Sequence, residues 1–362
     1  MLAITVCNTL IARYGAQGYQ NIRAALNVYA AAAQAHFVVL DDPNDEILKA
    51  LSLQPAAGVE AGSLLLPLCA VRQALGVSDS ILLVGGDSIV PHWRMTNPVT
   101  DRSVDPDETV MSDNPYGTDT EDLSEYLAPP VAVGRLTDFP RGTADEFVKL
   151  IRAAAAARQG RPIRNRSAVV SNADWANYSQ KAAQSLPGPD WHLSPGYAMD
   201  QGRRPDTDRE FLYFNLHGFT GEADWKGYDT VREQFVTAVT PDAFDQRYVS
   251  GAVVFAENCY GAETPGRTPQ NSCALRLVHE GAAFVGATGL AFGSHLAPNF
   301  FLDDADALAC SFWSAFTGGA ELGESLRRAR LDYRDDSTTP ETNPFKQKTL
   351  LQFILLGDPG WN

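Results

Sequence analysis

The chain has 362 residues, 44% of them apolar and 20% charged, with a formal net charge of -15. That length exceeds what one hydrophobic core usually serves, so two subdomains are expected. The negative field argues against a nucleic-acid or anionic-membrane partner and favours cationic substrates. Five scattered cysteines, Cys7, Cys69, Cys259, Cys273 and Cys310, lack the close spacing of a metal or disulfide framework and fit a reducing compartment. No apolar run approaches the roughly 20 residues of a bilayer span. The opening Met1-Leu2-Ala3-Ile4-Thr5-Val6 has no basic segment before a long apolar core, so the expected location is cytoplasmic.

In chain order, residues 2–7 alternate toward a strand, and 19–34, Ala-rich with Ile22, Leu26 and Tyr29 on one face, predict a helix. A strand at 36–40, helices near 45–53 and 64–75, and a strand at 80–84 follow. Strands alternating with helices imply right-handed crossovers and a parallel sheet. Gly85-Gly86 lacks the spacing of a nucleotide-binding loop. Nine acids between Asp101 and Glu125 face a single Arg102, which predicts a long exposed loop carrying a hairpin. Carboxylates of that kind also suit a structural Ca²⁺, although no EF-hand spacing is present. A strand at 131–133 precedes a helix at 143–157, entered through the capping box of Thr143 and Glu146. Residues 158–166, with four arginines, read as a linker between subdomains.

The second half opens with a strand at 167–171 and the loop Asn172-Ala173-Asp174, then a helix through Leu186. Residues 201–209, with Arg203-Arg204, read as a loop open to cleavage. Two short apolar runs then end in reactive side chains. Phe211-Leu212-Tyr213-Phe214-Asn215-Leu216 leads into His217-Gly218, and Ala252-Val253-Val254-Phe255-Ala256 leads through Glu257-Asn258 into Cys259-Tyr260-Gly261. Such runs suit buried parallel strands. Ligands of open α/β sheets sit at the carboxyl ends of the strands, so His217 and Cys259 face one site. A thiolate is the reactive form of cysteine, and a nearby imidazole favours it or protonates a leaving amine. A helix at 271–280, a strand at 282–287, helices at 303–316 and 320–333, and a closing strand at 350–356 complete the chain. His92, His192, His279 and His295 have no partner at metal-ligand spacing.

A hydrophobic block ending in His-Gly, followed by one ending in Cys with Gly two residues on, resembles the caspase-fold cysteine peptidases. Further blocks narrow the resemblance to the gingipains. They are Val84-Gly85-Gly86-Asp87 with Ile89-Val90-Pro91, Ser112-Asp113-Asn114-Pro115-Tyr116-Gly117, Val131-Ala132-Val133-Gly134-Arg135-Leu136, Gly323-Glu324-Ser325-Leu326-Arg327-Arg328-Ala329 and Leu355-Leu356-Gly357-Asp358-Pro359. The resemblance implies an α/β three-layer sandwich with a caspase-like parallel sheet and flanking helices, in two side-by-side subdomains. Residues 1–160 form the N-terminal one, with the acidic loop 101–126, and residues 161–362 the catalytic one.

It also implies a Cys259/His217 dyad that hydrolyses peptide bonds through an acyl-enzyme, needing no cofactor for the chemistry. The backbone N–H groups of Gly218 and Cys259 would receive the oxyanion. A side chain at Gly218 would crowd the substrate. Cleavage after Arg or Lys follows from the same resemblance, with four candidate pocket residues, each open to a second reading. Asp174 is a specificity acid or a helix cap. Asp224 is a second acid for a basic side chain. Trp225 lines the pocket or is simply buried. Glu257, two before the Cys, shapes the pocket or ends its strand in a salt bridge. The expected partner is a protein or peptide substrate, with an activating partner, Ca²⁺, or cleavage near 158–166 or Arg203-Arg204 as possible controls. Two other functions fit the residues: a partner-gated or non-catalytic caspase-like module, and a thiol hydrolase or acyltransferase on non-peptide substrates.

Overall fold

The computed structural model describes residues 1–160, 164–197, 209–294, 302–335 and 343–362. The first part carries β1 (Leu2–Thr5), α1 (Cys7–Ala33), β2 (His36–Val39), α2 (Glu46–Ala50), α3 (Ala61–Leu75), β3 (Ser80–Val84), β4 (Trp93–Thr96), β5 (Thr109–Ser112), α4 (Leu123–Leu127), β6 (Ala132–Leu136) and α5 (Ala144–Ala157). Then come β7 (Ser167–Asn172), α6 (Ala176–Ala182), β8 (Pro189–Ser194), β9 (Phe211–Asn215), β10 (Trp225–Asp229), β11 (Gln234–Val239), α7 (Gln246–Val249) and β12 (Val253–Ala256). The chain finishes with α8 (Cys273–His279), β13 (Ala283–Ala287), α9 (Asp304–Thr317), α10 (Leu322–Asp335), α11 (Pro344–Gln352) and β14 (Phe353–Leu356).

Ten strands make one sheet in the order β2-β1-β3-β6-β14-β13-β12-β9-β7-β8, and β4-β5 and β10-β11 are separate hairpins. The sheet is mixed rather than wholly parallel. β14 pairs antiparallel with β13 and parallel with β6, so β1, β2, β3 and β6 run opposite to β7, β8, β9, β12 and β13. Alternate residues divide between two cores, as a period-2 strand requires. Leu212, Phe214, Val254 and Ala256 pack with residues of α5 and α8, whereas Phe211, Tyr213, Val253 and Phe255 pack with residues of α6, α9 and α10. The capping box of Thr143 and Glu146 starts α5 as expected.

Three local expectations change. The apolar run 350–356 is not one strand. Asn343 accepts the Phe345 and Lys346 N–H groups, Pro344 occupies the first turn, and α11 takes Leu350 and Leu351 before β14 begins. The acidic stretch is largely internal from Asp105 to Thr118, with Asp105, Ser112, Asp113, Asn114, Tyr116 and Thr118 buried. Asp113 accepts from Arg135 Nε (2.9 Å) and Nη2 (2.6 Å) and lies 2.7 Å from His92 Nδ1. Arg135 also donates to the Gly85 and Val90 carbonyls, so three of the sequence blocks meet in one buried ion cluster that joins β3, β5 and β6. Arg158 is no free linker residue, since its guanidinium is held by Asp358 at 2.6 Å. Residues 161–163 of that stretch, Arg203-Arg204 and His295 lie outside the described residues. No helix among the described residues is long and apolar enough to cross a membrane.

Candidate active site

β9 and β12 are parallel neighbours with Phe214 opposite Ala256, and three residues beyond each partner stand His217 and Cys259. Strand alternation does the rest. Asn215, His217, Glu257 and Cys259 continue the series 211, 213 and 253, 255, which faces α6 and α9. All four line one cavity of about 200 Å³, completed by Trp175, Tyr178, the segment Ala291 to Ser294, and Asp306 of α9.

His217 is gripped by backbone and rings. Its N–H donates to the Lys226 carbonyl (2.7 Å) and its carbonyl accepts from the Lys226 N–H (2.9 Å), which ties the end of β9 to β10. Around the imidazole stand Trp175, Phe235 and Tyr228, with ring centroids 4.4, 5.0 and 6.5 Å away. The Cys259 sulfur accepts the Ala291 N–H at 3.3 Å. Burial pushes its thiol above the ordinary value, while that N–H and the positive charge of Lys348 act against the rise. Packing also requires glycine at position 218. A Cβ there would overlap the backbone carbonyl oxygen of Cys259, so glycine lets the two loops touch.

The cavity floor is acidic. Glu257 accepts from the Tyr213 hydroxyl, and Asp306 accepts from Asn215 Nδ2 (3.2 Å) and the Ser294 N–H (2.7 Å). Burial pushes the Glu257 carboxyl well above the carboxylate range, and the charge of Asp306 adds to the rise. The cavity therefore holds a carboxyl whose protonated form burial favours, beside a second acid.

The sequence model of peptidase family C25 matches residues 72–362. The chain belongs to peptidase family C25. Two solved structures share its fold: the Arg-specific cysteine proteinase gingipain R, at TM-score 0.64, and a protease, at TM-score 0.58. Each is 12% identical to this C25 chain and aligns over 99% of it and 77% of the other chain. A comparison with curated proteins found no match. Membership makes the protein a cysteine-type endopeptidase whose substrates are proteins or peptides.

Of the four pocket candidates, only Glu257 lines the cavity of the C25 chain. Asp174 is exposed in a single 3-10 turn after β7, beside Trp175, and the cap of that turn is Asn172 rather than Asp174. Asp224 accepts from the Thr237 hydroxyl at 3.3 Å in the β10-β11 hairpin. Trp225 stands on the opposite face of the sheet from the cavity, stacked among Phe214, Phe244 and Phe284. Nearness to His217 in sequence gave no information about face. Several cavity residues escaped the sequence reading, Trp175, Asn215 and Asp306 among them. Trp175 had no signal. Asn215 shares the parity of His217, and Asp306 is an acid on the apolar stripe Ala305, Leu308, Ala309 and Phe312 of α9, a mark of a buried charge.

Among the described residues, no group of three or more His, Cys, Asp or Glu is arranged to hold a metal ion. In the acidic stretch, Asp105 and Asp107 converge instead on Lys348. A larger cavity of about 410 Å³, lined by Ala153, Ala154, Ala157, Val278 and Trp361 among others, includes no residue of the His217/Cys259 site.

Proposed function

We propose that Cys259 is the nucleophile and His217 the acid/base of an endopeptidase that cleaves after Arg or Lys. The observation that carries this reading is the shared cavity, which sets a thiol and an imidazole above two carboxyls. Cys259 gives its proton to His217 and attacks the scissile carbonyl, and the imidazolium then protonates the leaving amine. Water hydrolyses the resulting thioester, with His217 now taking its proton. Gly218 and Cys259 supply the oxyanion N–H groups. In support, among the described residues no backbone carbonyl accepts either N–H, whereas those of His217 and Tyr260 are taken by the Lys226 and Gly289 carbonyls. A guanidinium or ammonium entering the cavity meets Glu257 and Asp306, and its charge favours ionisation of Glu257.

The test is hydrolysis of fluorogenic peptides with Arg, Lys, Asn, Asp or Leu before the reporter, with and without Ca²⁺. Cys259→Ala is expected to abolish cleavage. Asp306→Asn and Glu257→Gln are expected to cut the Arg-over-Leu preference at least about tenfold, the scale of a lost charge-assisted bond. Cleavage after Asn or Asp in the wild type would refute the basic pocket.

A further inference from the structure

Behind the nucleophile, the buried Lys348 and Asp105 meet the partly buried Asp107. Lys348 of α11 is fully enclosed, with Nζ 2.5 Å from Asp105 Oδ2 and 2.8 Å from Asp107 Oδ2. Buried ion pairs contribute little net stability, because desolvation consumes most of their attraction. What this one holds in place is therefore the informative part. Asp107 Oδ1 accepts the Tyr260 hydroxyl at 2.8 Å, and Oδ2 accepts the Leu290 N–H at 2.8 Å. Tyr260 directly follows Cys259, and Leu290 directly precedes Ala291, whose N–H donates to the Cys259 sulfur.

The two segments are laced elsewhere as well. The Tyr260 N–H donates to the Gly289 carbonyl at 2.8 Å. Gly289 leaves no room for a side chain, since a Cβ would lie 2.6 Å from Asp107 Oδ2. Tyr260 itself sits at φ 55°, a left-handed conformation that a bulky residue keeps only when its surroundings impose it. Asp107 thus hydrogen-bonds both the residue after the nucleophile and the residue before its N–H donor.

We propose that Asp107, anchored by Lys348, is a positioning residue for catalysis: it sets the Ala291 N–H on the Cys259 sulfur and fixes the turn that presents the thiol. This rests on Cys259 being the nucleophile. The groups around that sulfur are His217 at the end of β9, Glu257 on its own strand end, Asp306 from α9, Lys348 from α11, and Asp105 and Asp107 from the β4-β5 connection. Asp107→Asn then has two consequences of opposite sign. Removing a negative charge, by itself, makes the thiol easier to ionise. Losing the placement of the Ala291 N–H makes it harder.

The experiment is the pH dependence of Cys259 alkylation by iodoacetamide, followed by the mass of the Cys259 peptide, beside steady-state kinetics on the best fluorogenic peptide. In Asp107→Asn the alkylation midpoint should move to higher pH. The value of kcat should fall roughly tenfold or more with KM within about twofold, as for a misplaced reacting group. Tyr260→Phe, which removes one arm and leaves no buried charge unpaired, should shift both in the same direction by less. A midpoint that stays or moves down, with kcat preserved, overturns the proposal. If Asp107→Asn does not fold, Tyr260→Phe decides by the same criteria. If wild-type Cys259 neither alkylates with a pH midpoint nor supports hydrolysis, the nucleophile assignment falls, and this proposal with it.

Discussion

Gly218 packs against the Cys259 backbone with no room between them for a Cβ. Adding a single methyl at Gly218 forces the His217 loop away from the Cys259 carbonyl. We therefore expect Gly218→Ala to lower kcat/KM by roughly 100-fold or more, the scale of a 1 Å misplacement. Stability should fall by only about 1–3 kcal/mol, as for other overpacked positions. Kinetics beside a thermal melt separate the two, and wild-type turnover in the variant would rule out this geometry as catalytic. That His217 and Cys259 share one cavity was legible in the sequence because both strands are short apolar runs that stop at the same register. Asp306 was not: its place in the cavity depends on how α9 packs against strands some 90 residues earlier, which no local pattern encodes.

At the scale of elements, the start of α9 carries a cluster of acids. Asp303 caps the helix, Asp304 sits at φ 46°, and Asp306 enters the cavity. Burial pushes the Asp304 carboxyl up to about 6, Asp303 and Asp306 add to the rise, and the Tyr333 and Thr349 hydroxyls oppose it. The unfolded carboxyl loses its proton near pH 4. Between about pH 4 and 6 the folded chain thus holds the extra proton, and stability falls as pH rises through that window. Asp304→Asn removes this loss, and Asn tolerates the left-handed backbone better. The melting temperature should rise by about 1–3 °C at pH 7.5, from about 1–2 kcal/mol, and by clearly less at pH 4.5. Equal shifts at both pH values would show that titration is not the cause. The β10-β11 hairpin was the least legible element. Its Lys226, Tyr228, Phe235 and Val236 are all partly or fully exposed, so no clean alternation of apolar and polar positions marks it. Residues 230–233 also lack an Asn-Gly or Asp-Gly turn.

For the whole molecule, the decisive element is β14, through which two half-sheets of opposite direction become one. Just past it, Asp358 accepts from Tyr29 of α1 (2.6 Å) and from Arg158 after α5 (2.7 and 2.6 Å), so the chain's last turn is tied to elements more than 190 residues away. Asp358→Ala leaves a mostly buried Arg158 without its carboxylate, at an expected cost of about 3–5 kcal/mol. Because the sheet and its larger core run through both halves, chemical unfolding of that variant should remain a single transition shifted to lower denaturant. Two separate transitions would show the halves to be independent. There is a temporal side to this arrangement. β14 leaves the ribosome after the nine strands it joins, yet it occupies the fifth of ten places, and Lys348 emerges only just ahead of it. A nascent chain therefore carries His217 and Cys259 long before it can complete the sheet that aligns them, and a peptidase assembled in this order stays unfinished until β14 has emerged.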